Sequence, residues 1–190
     1  MIPLTYPFTE AGMRALKVGD EVAITGTLFT GRDAVHKYLH EGGTLPAGVN
    51  LRDGILYHCG PVVLPENGGW RVVAAGPTTS IREEPYQARI IELLGLRGVI
   101  GKGGMGPRTL EACRKFGCVY LHAVGGAAQV LAECIKRVRG VSFLEKFGSP
   151  EAVWELEVEQ FPAVVTMDAH GGSLHQAIFA ASQSELAKRL

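Results

Sequence analysis

The stretch GVIGKGGMGPRTLEAC, residues Gly98 to Cys113, reads as a short apolar strand, a glycine-rich turn carrying Lys102, and the start of a helix. A strand that runs into a helix through such a turn is the building unit of α/β folds. Gly101, Gly103 and Gly106 match G-x-G-x-x-G in the strand–turn–helix setting that a dinucleotide-binding loop requires. Two features oppose that reading. The turn lies far into the chain, and the next strand ends near His122 and Ala123 with no acidic residue to hold a ribose. The P-loop pattern fails as well, because Lys102 precedes most of the glycines and no Ser or Thr follows it. What stands is the physics of the turn: glycines admit close backbone approach, helix N-terminal amides favour an anion, and Lys102 adds a full charge.

On the N-terminal side, LKVGDEVAITGTLFTGRDAVHKYL (residues 16–39) predicts a turn at Val18-Gly19-Asp20, a strand from Val22 to Phe29, and a helix capped by Asp33. Further on, ILYHCGPVVL (55–64) and WRVVAAGPTTS (70–80) flank the turn Glu66-Asn67-Gly68-Gly69 and predict a hairpin. Its second strand should end at Gly76-Pro77, where Thr78, Thr79 and Ser80 open a helix. From Pro85 the spacing of Tyr86, Ile90, Leu93 and Leu94 suits an amphipathic helix. Beyond the glycine turn we expect a helix over Pro107–Phe116, a strand over Cys118–Ala123 and a helix over Gln129–Val138. Alternation over Val153–Val158 predicts a half-exposed strand, with a helix as the alternative, broken off by Pro162 before a short strand at Val164–Met167. A terminal helix is expected in SQSELAKRL. The succession predicts one α/β domain over residues 1–190, with helices packed on a sheet that contains parallel pairs.

The 190-residue chain is 46% hydrophobic, enough for a real core, and its formal net charge is zero. It therefore lacks the basic footprint that dominates nucleic-acid binding. No segment approaches the run of about 20 apolar residues that spans a bilayer, and the N-terminus lacks a secretory pattern, so we expect a cytoplasmic protein with neither a nucleic-acid nor a membrane partner. Cys59, Cys113, Cys118 and Cys134 do not make a small disulfide framework. The Cys113/Cys118 spacing resembles part of a ferredoxin motif, but Leu121 stands where the next cysteine would be needed. They are read as free thiols.

Three loops share one character: Thr30-Gly31-Arg32-Asp33, Gly76 to Arg82, and Gly101-Lys102-Gly103. Each follows a predicted strand, precedes a predicted helix and carries a cation beside small or hydroxylated residues. Ligands of α/β sheets bind at the carboxyl ends of strands. Arg32 and Arg82 can each grip a carboxylate through two parallel hydrogen bonds, and Lys102 supplies a compact charge. Together they describe a site for a small dianion such as a dicarboxylic acid, in an enzyme or in a binding module that senses the dicarboxylate without converting it. Individually, Arg32 could pair with Asp33 or Glu41, and Arg82 with Glu83 or Glu84. The chain shows neither a metal-ligand cluster nor a nucleophile–base pair, as if it held one half of an active site.

GDEVAITGTLFTGRDAVHKYL, ILYHCGPVV, AAGPTTSIR, GVIGKGGM, YLHAVGGAA and AVWELEVEQFPAVVTMDAHG occur in this order, and the chain resembles the C-terminal domain, or separate β subunit, of class I iron–sulfur fumarases and L(+)-tartrate dehydratases. The resemblance implies a swivelling β/β/α domain with a mixed sheet and flanking helices. It implies an α-subunit partner in a hetero-oligomer, a [4Fe-4S] cluster held by that partner and not by this chain, and reversible dehydration of a 2-hydroxy dicarboxylate, malate to fumarate or tartrate to oxaloacetate. The open iron would act on the departing hydroxyl. Carried over by motif, Thr78 takes a proposed acid/base role, and Arg32, Thr79, Arg82 and Lys102 bind substrate. Glu83-Glu84 stand where many relatives have Met-Asp.

Overall fold

The computed structural model describes residues 1–189. In chain order the elements are β1 (Ile2–Thr5), α1 (Glu10–Ala15), β2 (Glu21–Thr30), α2 (Asp33–His40), β3 (Ile55–Tyr57), β4 (Val62–Glu66), β5 (Gly69–Ala74), α3 (Glu84–Leu94), β6 (Gly98–Gly101) and α4 (Pro107–Phe116). They continue with β7 (Val119–His122), α5 (Ala128–Glu133), β8 (Ile135–Ser142), α6 (Leu144–Phe147), β9 (Val153–Met167) and α7 (Leu174–Ala187). Strands β1, β2, β3, β6 and β7 run parallel, while β9 lies antiparallel to β2, β7 and β8. Because β9 pairs with both β7 and β2, the strands β2-β3-β6-β7-β9 close on themselves, with β1 and β8 alongside. This is the expected mixed sheet with flanking helices.

Alternation within the central strands decides which face each residue covers. Ile55, Tyr57, Ile100, Val119 and Leu121 join one core with Trp154, Leu156 and Phe161. Their neighbours Leu56, Val99 and Tyr120 join a second core with Val35, Leu39, Ile90, Ile91 and Ala112 from α2, α3 and α4. Strands buried on both faces read as unbroken apolar runs, which is the form that Gly98–Ile100 and Val119–Leu121 take. Helices α3 and α4 each begin with a proline in the first turn and end at a left-handed glycine, Gly95 and Gly117, as the positional preferences of those residues dictate.

Several expectations need correction. Residues 55–64 do not form one strand: Ile55–Tyr57 belongs to the main sheet, and Val62–Glu66 pairs with β5 in a separate hairpin. The helix expected through Val138 stops at Glu133, and Ile135–Ser142 is a strand along β9. Pro162 does not interrupt β9, which runs unbroken for 15 residues. Val165 donates to Asp20 O on the β2 side at 2.9 Å. By alternation, the N–H that Pro162 lacks would point to the opposite edge, where β8 pairing has ended at Val158 and β7 pairing begins only at Val164. No ladder bond is lost there. The terminal helix starts upstream of SQSELAKRL, at Leu174, and Leu190 lies outside the described residues. No helix among the described residues is long and apolar enough to cross a membrane.

Candidate active site

The three cation-bearing loops converge. Thr78 N donates to His58 O at 2.7 Å, Lys102 N donates to Thr78 O at 3.2 Å, and Ser80 N donates to Lys102 O at 3.0 Å. Thr78–Ser80 is therefore a short parallel extension laid beside the end of β6, bridged at Thr79 and Lys102. Gly101 permits this approach, because a Cβ built there would fall 1.8 Å from Ser80 Oγ. Gly103 and Gly104 then turn the chain through left-handed conformations into α4. Thr78 is half-buried, Thr79 exposed and Lys102 half-buried, and no side chain among the described residues pairs with the Lys102 ammonium.

Arg32 and Arg82 meet across Asp33. Arg82 Nη2 lies 2.8 Å from Asp33 Oδ1, and Arg32 Nη2 lies 4.0 Å from Asp33 Oδ2. Neither Glu41, Glu83 nor Glu84 forms an ion pair with these arginines. Arg32 Nε approaches Glu151 Oε1 only to 3.4 Å and, buried, has no hydrogen-bond partner. Asp33 is not the N-cap expected of it. Arg32 occupies that position, and the carboxylate that takes a first-turn amide is Glu151, whose Oε2 accepts from Ala34 N at 2.9 Å.

The glycine turn has an anion of its own. Glu84 accepts from the amides of Gly106 at 2.8 Å, Arg108 at 3.0 Å and Thr109 at 3.3 Å, and from Thr109 Oγ1 at 2.6 Å. The N-terminus of α4, which would cradle a phosphate in a nucleotide-binding loop, is filled by this carboxylate. Glu84 therefore serves the helix rather than bridging to Arg82, and the nucleotide reading loses its binding geometry.

A buried polar layer beneath the loops escaped the sequence reading. His36, His58, Ser80, Glu83 and Gln87 are fully buried, and Tyr120 joins them through its hydroxyl. Their signal was present as polar residues inside apolar patterns: His36 between Val35 and Leu39 on the buried face of α2, and His58 directly after Ile55–Tyr57. Burial lowers the pKa of both histidines, that of His58 to about 3. The Glu83 carboxyl is pushed up to about 8, first by burial and then by Asp33, with Glu151 adding to the rise and Arg82 and Arg32 opposing it. A neutral Glu83 leaves the positive charge of the arginines available to an incoming carboxylate.

The cysteines do not suit an iron–sulfur cluster. Cys59, Cys113 and Cys118 are sealed in the two packed cores, burial pushes the Cys59 thiol up to about 12, and Cys134 lies apart at the end of α5. Among the described residues no three His, Cys, Asp or Glu side chains gather as metal ligands.

A family model described as Fumarase C-terminus matches residues 1–178. The chain is 57% identical over 189 residues to a Geobacillus stearothermophilus protein named "Putative fumarate hydratase class I", which covers 99% of this chain and 36% of that protein. It is 41% identical over 175 residues to the Methanocaldococcus jannaschii "Putative L(+)-tartrate dehydratase subunit beta", covering 90% of this chain and 89% of the relative. Against the L(+)-tartrate dehydratase subunit beta of Escherichia coli the identity is 37% over 172 residues, covering 90% and 85%. The chain thus spans about a third of the fumarase it matches and most of the tartrate dehydratase subunits.

Proposed function

This chain belongs to the Fumarase C-terminus family, and from that premise we propose that it is the substrate-gripping part of a hydro-lyase that reversibly dehydrates a 2-hydroxy dicarboxylate, malate to fumarate. The observation that carries the reading is that the three cation-bearing loops touch: Arg32 and Arg82 meet at Asp33, and Thr78–Ser80 pairs through its backbone with Lys102. Removing a proton beside a carboxylate builds negative charge on that carboxylate. Cations fixed around it stabilise the transition state more than the ground state. In this reading Arg32 and Arg82 hold a carboxylate, with Asp33 keeping the two guanidiniums oriented until substrate arrives. Lys102, backbone-paired to Thr78, supplies the charge that a threonine hydroxyl needs before it can take part in proton transfer, and Thr79 adds a hydrogen bond.

The partner in this proposal is an α subunit or α domain carrying the [4Fe-4S] cluster, since the thiols of this chain do not fit one. The relatives named subunit beta support that division. The domain spans residues 1–190 and acts in a hetero-oligomer in the cytoplasm.

The test is anaerobic co-purification with the candidate α subunit and dehydratase assays on malate and L-tartrate side by side. Turnover of malate supports the reading, and preference for tartrate transfers it to tartrate dehydratase. Lys102→Ala and Arg82→Ala should each abolish turnover and shift stability by no more than about 0.5 kcal/mol, because neither side chain is buried. Near-normal turnover in both would refute the site.

A further inference from the structure

Gln87, on α3, is fully buried and its side-chain amide lies between two imidazoles. The amide atom turned toward them is 3.0 Å from His36 Nε2 and 2.8 Å from His58 Nε2. The rings stand edge to face, with centroids 5.0 Å apart. On its far side, His36 Nδ1 is 2.8 Å from the carbonyl oxygen of Arg32. A carbonyl only accepts, so Nδ1 carries a proton. Complete burial favours the neutral ring, and in a neutral ring Nε2 is then an acceptor. The atom that Gln87 presents to it is therefore the NH2 group. With Oε1 placed toward the rings the NH2 is buried without a partner, so the oxygen and nitrogen of this amide, which are assigned from their partners, are exchanged.

The second amide hydrogen points at His58 Nε2, which makes His58 an Nδ1–H tautomer as well. Its Nδ1 then donates to Ser80 Oγ at 2.9 Å, which also accepts from the Tyr120 hydroxyl at 2.9 Å. One amide thus dictates the tautomers of two histidines. The ends of the chain of bonds are the two substrate loops: Arg32 O on one side, Ser80 on the other, and Thr78 N on the His58 carbonyl.

We propose that Gln87 is a positioning residue: by donating to both imidazoles it holds them as Nδ1–H tautomers, which locks the Arg32 loop and the Thr78–Ser80 loop in mutual register without touching substrate. The consequence for turnover rests on the hydro-lyase reading above, whereas the tautomers and the loop register do not. Replacing the amide with a carboxyl of the same shape removes at least one of the two donated hydrogens, so one ring must change tautomer or take up a proton.

The experiment compares the wild-type chain and Gln87→Glu, in complex with the α subunit for kinetics and labelled with nitrogen-15 for NMR. Expected are two Nδ1–H rings in the wild type and a changed ring state in Gln87→Glu. Displaced backbone amide signals in both loops should accompany it, with a fall in kcat of about tenfold or more and a smaller change in KM, since small misalignments of reacting groups cost rate steeply. A wild-type spectrum with either ring as Nε2–H overturns the proposal, and it does so even if the variant fails to fold. So does a Gln87→Glu variant with wild-type loop signals and kcat. A wild-type complex inactive on both acids, yet with both rings Nδ1–H and loop signals that move in the variant, sinks the hydro-lyase reading and supports the positioning role.

Discussion

Glu83→Gln isolates one buried carboxyl whose protonation the fold controls. Glu83 is fully buried, neither of its oxygens has a hydrogen-bond partner, and it lies 3.6 Å from His36 Nδ1, whose N–H is already directed to Arg32 O. The charged groups facing it are Asp33 from α2, Glu151 from the segment before β9, and Arg32 and Arg82. Burial, the largest influence, raises its pKa from 4.5 to about 8. Between those values the folded state binds a proton that the unfolded state has released. Glu83 therefore favours folding fully below pH 4.5, and that contribution is lost as pH rises to about 8. Glutamine has the shape of the protonated acid and does not titrate. The stability of Glu83→Gln relative to wild type should climb by about 1.4 kcal/mol per pH unit between pH 5 and pH 8, then level off, with a total near 5 kcal/mol as an upper bound. Urea unfolding of both proteins across pH 5 to 9 measures the difference directly. A difference that stays constant across this range would mean that the fold holds no extra proton at Glu83, and would refute the reasoning.

Two other carboxylates act as clamps. Glu84→Ala strips the amides of Gly106, Arg108 and Thr109 of their acceptor and should cost about 2 kcal/mol in urea unfolding, with faster hydrogen exchange in the first turn of α4. Asp168→Ala should cost about 3 kcal/mol, because its carboxylate accepts from His170 N, Gly172 N and Val18 N and ties the end of β9 to the entry of β2. Burial pushes the Asp168 pKa up, but the amides of Gly172, His170 and Val18 outweigh it and hold the group below 3.8. Its stabilising contribution is present at neutral pH and fades as pH falls below that range, so the penalty of Asp168→Ala should shrink in acid.

The local code was legible where one residue pattern admits one backbone. Helix α4 spans Pro107–Phe116 as expected, and the short apolar runs of β6 and β7 are strands. The order of the three cation-bearing loops at strand ends was legible too, because glycine turns between a strand and a helix carry their meaning locally. Partner choice was not. Locally Arg82 is the cation offered to Glu84, yet the carboxylate goes to the amides of α4, a contact 22 to 25 residues away. Pro162 reads as a strand breaker until the gap between β8 and β7 shows that its missing N–H faces no ladder.

By itself the sequence determined an α/β chain with cation-bearing glycine turns at strand ends, since hydrophobic period, prolines and glycines act over a few residues. Only the tertiary structure decided that β9 closes the sheet, that Glu84 occupies the helix terminus, and that Gln87 joins His36 to His58 beneath the site. The physical reason is that hydrogen bonds and burial between residues far apart in sequence depend on where the whole sheet brings them, and no local period encodes that distance.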